Sequence, residues 1–295
     1  MSIYLTGASG FVGKNVIEFF RDSKKIVIAT RNTSIEFEEQ VVIHLAGKAH
    51  DLKKVSSSDE YYEVNTELTK EVFDAFLISE AKVFITLSSV KAVADEVDGE
   101  LTEEVTPNPI THYGKSKLLA EQYILSQPIP ESKRVYILRP CMIHGPGNKG
   151  NLNLLYSLVS KGFPWPLGLF ENSRSYLSIE NLCFIINELI EREDIPSGVY
   201  NVADDVPLST NEVIKLIAES KSKKARILNL SKNLIEVLAS VGDVLKLPLN
   251  SERLQKLTES YVVSNAKIKS VLGKPLPVSS KDGLMRTFQS FSDNG

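Results

Sequence analysis

The first half of the chain alternates short runs of aliphatic and β-branched residues with longer segments in which apolar residues recur at helical spacing. The short runs predict strands at Ile3–Thr6, Ile26–Thr30, Val41–Leu45, Val83–Leu87 and Arg134–Leu138. The longer segments predict helices at Phe11–Arg21, Asp59–Ser79 and Tyr113–Ser126. Because strands that alternate with helices form parallel β-α-β units, the pattern predicts an α/β fold around a parallel sheet.

The pattern changes after residue 147, where turns rich in Gly and Pro separate more helical segments. Helices are predicted at Leu152–Lys161, Ile179–Arg192, Asn211–Ser220 and Leu234–Leu245. Between them, Val199–Val202 is predicted to be one more strand of the sheet. We therefore expect residues 1–147, with a returning segment near 175–203, to form the main domain. Residues 148–295 are expected to form mainly a smaller cap.

The connection between the second and third predicted strands is short, with only about nine residues, Asn32–Gln40. A helical crossover needs a dozen or more residues, and dinucleotide-binding sheets normally place a helix, a strand and a second helix here. An extended chain of this length reaches roughly 30 Å, enough to return across the sheet. We expect a shortened sheet that lacks one strand-helix unit after strand two, on the side that normally flanks an adenine.

Composition narrows the possible classes. The chain has 295 residues with 34 basic and 37 acidic side chains and a net charge of -3, which argues against a nucleic-acid partner because such proteins carry a basic surface. No apolar run approaches the roughly 18 residues of a membrane span, and the first predicted strand leaves no room for a signal peptide. Cys141, Cys183 and the histidines lack disulfide or metal-ligand spacing. We expect a cytoplasmic protein without a metal site or membrane insertion.

A glycine-rich turn, Thr6–Gly13, joins the first predicted strand to the first helix. Gly7 permits the tight turn, Gly10 lets the backbone approach a pyrophosphate, and Gly13 allows the helix to pack closely on the strand. Free N–H groups at the helix N-terminus favour phosphate. The turn predicts a dinucleotide site. Arg31, after the second strand, favours NADP over NAD because an arginine accommodates a 2′-phosphate.

Tyr113 and Lys117 lie four residues apart at the start of a predicted helix and so share one face. A phenol with a pKa near 10 is only about 0.1% ionised at neutral pH. A nearby ammonium favours the phenolate and can turn the tyrosine into a base for hydroxyl deprotonation. Ser88 and Ser89 follow the predicted strand Val83–Leu87, at the edge where parallel sheets bind ligands. These residues indicate an acid/base site beside the dinucleotide.

These and further motifs resemble the extended short-chain dehydrogenase/reductase family, in particular its nucleotide-sugar epimerases and dehydratases. The matching segments are Thr6–Gly13, Val42–Gly47, Tyr61–Asn65, Phe84–Val90, Tyr113–Lys117, Leu138–Pro140, Gly145–Gly147 and Ser173–Ser178. The resemblance implies a Rossmann-type domain, an NAD or NADP cofactor and a UDP-sugar substrate. It also implies a homodimer packed through the helices at Asp59–Ser79 and Tyr113–Ser126.

The resemblance further implies roles for single residues. Tyr113 would be the acid/base, Lys117 would lower its pKa and bind the nicotinamide ribose, and Ser89 would hydrogen bond the reacting sugar oxygen. Asn65 matches a helix asparagine near the cofactor. The implied cofactor contacts are Gly7, Ser9, Gly10, Phe11, Val12, Gly13, Arg31, Leu45, Ala46, Gly47, Ser88, Lys117 and Pro140. The implied substrate contacts are Ser89, Lys91, Tyr113, Asn151, Arg174 and Arg253.

Two activities at C4 of a UDP-hexose or UDP-N-acetylhexosamine stay open, because both use the same Ser, Tyr and Lys. A 4-epimerase oxidises the sugar and reduces it again, whereas a 4-reductase reduces a UDP-4-keto-6-deoxy-hexosamine once with NADPH. Family frequency favours the epimerase, while Arg31 and the similarity around Lys91 to the reductase subgroup favour the reductase. Val90-Lys91 offers no carboxyl group for a dehydratase. A non-catalytic dinucleotide-binding protein is a further alternative, which the retained tyrosine and lysine disfavour.

Overall fold

The computed structural model describes residues 1–30, 35–48, 57–148, 150–245 and 250–292, without the side chains of Asn151 and Ser292. The described residues form ten strands: β1 (Ser2–Thr6), β2 (Lys25–Ile28), β3 (Val41–His44), β4 (Val83–Leu87), β5 (Glu100–Leu101), β6 (Arg134–Pro140), β7 (Met142–His144), β8 (Tyr176–Ser178), β9 (Gly198–Val202) and β10 (Val262–Val263). They also form eleven α-helices: α1 (Phe11–Phe20), α2 (Ser58–Tyr62), α3 (Leu68–Ile78), α4 (His112–Ser126), α5 (Asn151–Ser160), α6 (Ile179–Glu191), α7 (Thr210–Ser220), α8 (Lys232–Leu245), α9 (Ser251–Thr258), α10 (Ala266–Leu272) and α11 (Ser280–Ser292).

Six strands form one parallel sheet in the order β2-β1-β3-β4-β6-β9. The predicted α/β fold with a Rossmann-type parallel sheet is confirmed. The strand expected at Val199–Val202 is β9, which pairs with β6 at the far edge. Two short parallel pairs, β5 with β10 and β7 with β8, lie outside this sheet.

Apolar side chains cover both faces of the sheet. On one face, side chains of α1 and α6 pack over Leu5 and Ile43, which are fully buried. On the other face, Phe73 and Phe76 of α3 pack against Phe84 of β4, with ring centroids 5.0 and 5.2 Å from its own. Strands buried on both faces give continuous apolar runs instead of alternating ones, which explains the pattern seen in the sequence.

The sheet is shortened on the side of β2, as expected. β2 is its edge strand among the described residues, and the described part of the connection from Ala29 to Gln40 contains neither helix nor strand. Phe37 in this connection is 9% exposed and packs edge-on against Tyr4, with ring centroids 4.7 Å apart. One aromatic side chain therefore covers sheet surface that a crossover helix normally covers. Arg31 lies outside the described residues.

The long helix predicted at Asp59–Ser79 is present as α2 and α3, but a π-helical stretch at Glu63–Glu67 joins them. This stretch carries Asn65 and Thr66, which are 0% and 2% exposed. The wider π turn adds a residue to the helical repeat and faces both polar side chains toward α4. The Thr66 hydroxyl donates a hydrogen bond to the Ser116 carbonyl at 2.8 Å.

The C-terminal helices build a second apolar cluster away from the sheet. Leu152 of α5, Ile214 of α7 and Phe288 of α11 are buried in it together with Trp165. The sequence pattern predicted α5, α6, α7 and α8, whereas α9, α10 and α11 were not predicted. Across the described ranges, no helix is long and apolar enough to cross a membrane.

Phe37 is expected to carry much of the stability of the shortened side. Phe37→Ala opens a cavity beside Tyr4 and should lower the free energy of unfolding by about 3 kcal/mol. Urea unfolding measures this loss, with Phe163→Ala as the control because Phe163 is 57% exposed. Equal stability of the two variants would contradict the packing role of Phe37.

Candidate active site

The glycine-rich turn between β1 and α1 is built by close backbone packing. Gly7 has a φ of 71°, and a Cβ placed on it would lie 2.5 Å from the Ala46 nitrogen. A Cβ on Gly13 would lie 2.3 Å from the Gly7 carbonyl oxygen. Both positions therefore require glycine, and the turn lies directly against the chain that leaves β3.

Gly10 has a different environment, because among the described residues a Cβ on it would meet only the Gly7 carbonyl oxygen, at 3.3 Å. Gly10 is the N-cap of α1, and as a glycine it has no side chain that could accept hydrogen bonds from the first N–H groups of the helix. The first N–H groups of the helix are thus left for another acceptor, and such groups bind phosphate. This open N-terminus fits the pyrophosphate of a dinucleotide.

The loop after β3 is held by a buried chain of hydrogen bonds centred on His44. The Thr69 hydroxyl donates to the Asn65 carbonyl at 2.8 Å, so it accepts from His44 Nε2 at 3.0 Å. His44 Nδ1 then accepts from the Thr6 hydroxyl at 2.8 Å, and the Thr6 oxygen accepts the Ala46 N–H at 3.1 Å. Burial lowers the pKa of His44 to about 3. The imidazole is therefore neutral and fixes the backbone at Ala46.

Asn65 holds the same loop from the π-helical stretch. Its side chain accepts the Lys48 N–H at 2.8 Å and donates to the Lys48 carbonyl at 3.1 Å. It also donates to the Ser116 hydroxyl on α4 at 3.1 Å. A Cβ on Gly47 would lie 3.0 Å from Lys117 Nζ. Asn65 thus joins the loop at residues 45–48 to the helix that carries Tyr113 and Lys117.

Ser89 and Tyr113 meet at the carboxyl edge of β4. Ser89 caps the 3₁₀ turn Val90–Ala92, with its hydroxyl oxygen accepting the Lys91 N–H at 3.2 Å. Tyr113 lies in the first turn of α4 and hydrogen bonds to the Ser89 side chain. Burial raises the pKa of Tyr113, and the hydrogen bond with Ser89 opposes this rise. A base made from this phenol therefore needs a positive charge nearby.

Lys117 lies one turn after Tyr113 on α4, the position from which the predicted ammonium would act. Its half-buried ammonium donates to the Leu87 carbonyl at the end of β4, at 2.9 Å. Burial lowers the pKa of Lys117 to about 8, and the carboxylate of Glu121 opposes this effect. Glu121 is itself buried and binds Arg139 of β6 with two parallel contacts, of 3.0 Å to Nε and 2.5 Å to Nη2.

Ser88 does not face the same space as Ser89. Its hydroxyl is buried and has no hydrogen-bond partner in the described part of the chain. It lines a cavity of about 10 Å³ together with Lys117, Glu121 and Thr69, roughly the space of one water molecule. The implied cofactor role of Ser88 stays a prediction.

Two of the implied substrate residues interact electrostatically with each other, and one of them, Lys91, lies two positions after Ser89. Lys91 donates to the Asp95 carbonyl at 2.6 Å, and its ammonium lies 4.2 Å from the centre of the Tyr261 ring. Arg174 pairs with Glu259 at 3.4 Å and with the Lys256 carbonyl of α9. Burial lowers the pKa of Lys91, with Asp95 and Glu259 opposing and Arg174 adding to the shift.

The other two implied substrate residues are farther along the C-terminal part. Asn151 begins α5, and Arg253 lies in the first turn of α9, where its N–H donates to the Asn250 side chain at 2.9 Å. Tyr261 was not predicted from the sequence, although its hydroxyl donates to the Ala94 carbonyl at 2.7 Å and holds the loop after Ser89. No group of His, Cys, Asp or Glu in the described ranges could hold a metal ion.

A glycine-rich strand-to-helix turn and a Ser-Tyr-Lys set at the carboxyl edge of a parallel sheet define a Rossmann-type oxidoreductase of the extended short-chain dehydrogenase class. Residues 3–203 match the NAD dependent epimerase/dehydratase family. The chain belongs to that family.

Individual relatives are similar over nearly the whole chain. UDP-glucose 4-epimerase of Vibrio cholerae is 31% identical over 323 aligned positions, covering 98% of this chain and 95% of its own. Because 323 positions exceed the 295 residues of this chain, the relative contains stretches that this chain lacks. N-acetyl-alpha-D-glucosaminyl-diphospho-ditrans,octacis-undecaprenol 4-epimerase of Escherichia coli O157:H7 is 27% identical, covering 98% and 94%. The solved structure of RMD from Pseudomonas aeruginosa complexed with NADPH superposes with a TM-score of 0.75 at 20% identity, covering 100% and 99%.

Glu121 is expected to keep Lys117 charged. Glu121→Gln removes the carboxylate that opposes the effect of burial, so the pKa of Lys117 falls further below its usual value. Lys117 then loses its proton at lower pH, and the alkaline limb of the kcat profile should move down by about one pH unit. Kinetics from acidic to alkaline pH measure the shift.

The control for this variant is Glu67→Gln, since Glu67 forms an exposed pair with Lys70 on the helix surface. Glu121→Gln also leaves Arg139 buried without its partner, which should cost about 3 kcal/mol of stability. Kinetics are therefore taken below the unfolding temperature of the variant. A folded Glu121→Gln enzyme with an unchanged pH profile would show that Glu121 does not act on Lys117.

Proposed function

We propose that the protein is an NAD(P)-dependent oxidoreductase that acts at C4 of a UDP-sugar, as a 4-epimerase of a UDP-hexose or UDP-N-acetylhexosamine. The observation that carries this proposal is the arrangement at the end of β4, where Tyr113 hydrogen bonds to Ser89 and Lys117 bonds to Leu87. The family consists of NAD(P)-dependent nucleotide-sugar epimerases and reductases, and the whole-length similarity to UDP-glucose 4-epimerase supports the sugar class.

The proposed chemistry is a proton transfer at the sugar hydroxyl coupled to a hydride transfer at the carbon. Tyr113 removes the proton from the C4 hydroxyl, and Ser89 holds the same oxygen by a hydrogen bond. The ammonium of Lys117 stabilises the phenolate of Tyr113. Bound NAD(P) supplies the hydride acceptor and donor. In an epimerase the keto sugar presents its other face before Tyr113 returns the proton.

The proposed cofactor site combines the N-terminus of α1 with the loop after β3. The residues assigned to it are Gly7, Ser9, Gly10, Phe11, Val12, Gly13, Leu45, Ala46, Gly47, Ser88, Lys117 and Pro140. The N–H groups in the first turn of α1, after Gly10, and the fixed backbone at Ala46 support this assignment. The preference for NADP rests on Arg31 alone.

The proposed substrate site lies on the other side of Ser89. Lys91 and Arg174 offer positive charge near the catalytic edge, and a guanidinium suits a diphosphate. Asn151 and Arg253 would complete the diphosphate site. We assign the sugar-binding role mainly to residues 148–295 and the cofactor role to residues 1–147 with the segment near 175–203.

A 4-reductase of a UDP-4-keto-6-deoxy-hexosamine is the second candidate function. Lys91 favours it, because a half-buried ammonium two residues after Ser89 can hydrogen bond a carbonyl oxygen and offers no carboxylate for dehydration. In this reaction Tyr113 donates one proton and the product does not return to the keto state.

We further propose a cytoplasmic homodimer packed through the long helix at Asp59–Ser79, which comprises α2, the π-helical stretch and α3, and through α4. Leu119 and Leu125 on α4 are 44% and 55% exposed and would be covered in such a dimer. Sedimentation of the purified protein measures the assembly, and a monomer at micromolar concentration would contradict the dimer.

An activity assay distinguishes the two candidate functions. The purified protein is incubated separately with UDP-glucose, UDP-N-acetylglucosamine and a UDP-4-keto-6-deoxy sugar. Interconversion without net loss of cofactor establishes an epimerase, and stoichiometric NADPH loss with the keto sugar alone establishes a reductase.

Tyr113→Phe should lower kcat about a thousandfold. Tyr62→Phe is the control, because the Tyr62 hydroxyl bonds only the exposed His112 ring in the described contacts, at 3.0 Å. Unchanged turnover in Tyr113→Phe would overturn the mechanism.

Alanine substitutions at Gly10 and Gly7 should separate an effect on cofactor binding from an effect on the stability of the fold. Gly10→Ala keeps an extended backbone conformation that any residue adopts, with φ at −72°, but its methyl group occupies the space proposed for the pyrophosphate. We expect at least tenfold weaker cofactor binding and little loss of stability. Gly7→Ala places a Cβ against residues 45–46 and should destabilise the fold by about 2 kcal/mol.

Isothermal titration with NAD and NADP, together with urea unfolding, measures both effects. Full cofactor affinity in Gly10→Ala would contradict the assigned pyrophosphate position, whatever the sugar substrate is.

A further inference from the structure

Helix α8 carries two apolar stripes, of which only one is used by the core. Ile235, Ala239 and Gly242 are buried and face the C-terminal cluster. The second stripe recurs every three or four residues along the whole helix and consists of Leu234, Val237, Leu238, Val241, Val244 and Leu245. The exposed fraction of these side chains runs from 43% to 80%. A stripe of this length on one helix marks an interaction site.

Two segments that meet the start of α8 at Lys232 also expose apolar side chains. Trp165 pairs with Ile227 and Leu167 with Asn229, so residues 165–167 and 227–229 run side by side before α8 begins. This part of the surface exposes Phe163 by 57% and Leu228 by 43%. We call the second stripe of α8, residues 160–170 and residues 221–232 the docking face.

The docking face is cationic although the chain as a whole has a net charge of -3. Residues 160–170 and 221–232 contain no Asp or Glu, and their cations are Lys161, Lys221, Lys223, Lys224, Arg226 and Lys232. Lys223 contacts the Ser160 carbonyl and Lys232 lies 5.7 Å from the Phe170 ring centre, so these cations lie among the apolar segments. On α8 itself the acidic residues are Glu236 and Asp243, and Asp243 caps α9 through Ser251.

The combination of aliphatic side chains and unbalanced cations indicates the partner. A second copy of the chain would bring the same positive charges together, which disfavours pairing through this face. An anionic bilayer satisfies both features, because an amphipathic helix buries its apolar side at the boundary between headgroups and acyl chains while cations bind the headgroups. We propose that the docking face binds the surface of an anionic lipid bilayer and holds the enzyme there peripherally.

Co-sedimentation of the full chain with lipid vesicles tests the proposal. We expect binding to vesicles of phosphatidylcholine and phosphatidylglycerol in equal parts, little binding to pure phosphatidylcholine, and weakening at high salt because surface charges are screened. The double variant Val237→Glu and Val241→Glu should bind at least tenfold more weakly.

The matched control is the double variant Val105→Glu and Val206→Glu. These valines are 38% and 54% exposed, compared with 60% and 43% for Val237 and Val241, and lie outside the docking face. Both variants add the same two charges, so a loss confined to the α8 variant locates the binding. Lys223→Gln with Lys224→Gln should weaken binding without altering the apolar stripe.

Three results would overturn the proposal. They are no binding to either vesicle, equal binding of the α8 variant and its control, and self-association of the wild-type chain that the α8 variant abolishes. The test is independent of the catalytic assignment, because vesicle binding is measured without a sugar substrate or cofactor.

Discussion

The half-buried ammonium of Lys117 is the constraint around which the carboxyl edge of the sheet is organised. A charge removed from water needs hydrogen bonds and an opposite charge. The Leu87 carbonyl at the end of β4 accepts a hydrogen bond from this ammonium, and Glu121 supplies the opposite charge. Arg139 of β6 in turn neutralises Glu121. One lysine therefore links β4, α4 and β6, and fixes the helix turn that presents Tyr113 to Ser89.

A second set of contacts positions the loop at residues 45–48 against that lysine. Neutral His44 joins Thr6 of β1 to Thr69 of α3, and Asn65 binds the loop on both sides of Lys48. The π-helical stretch is what turns Asn65 toward the loop, and π turns of this kind recur at functional sites. The proposed cofactor and acid/base sites thus share one hydrogen-bonded support.

The sequence predicted features that depend on local pattern. The apolar runs of the buried strands, the glycine-rich turn and the four-residue spacing of Tyr113 and Lys117 each have a direct physical signature. The π-helical stretch has none, because apolar spacing continues through it from α2 to α3. The Glu121–Arg139 pair joins residues 18 positions apart on different elements, and Tyr261 reaches Ala94 across 167 positions. Such contacts depend on tertiary packing, which spacing along the chain does not reveal.

The shortened side of the sheet and the apolar stripe of α8 are two further cases in which the sequence predicted an element but not its tertiary packing. A missing crossover was visible in the length of Asn32–Gln40, but the compensating role of Phe37 was not. Apolar spacing on α8 predicted a helix but gave no sign that one of its two stripes stays exposed.

The pKa of Lys117 is the most direct test of this account, and it can be measured by NMR. Titration of the lysine side-chain carbon signals, assigned with Lys117→Met, should give a midpoint of about 8 for Lys117. A midpoint near the ordinary lysine value of about 10.4 would contradict the account.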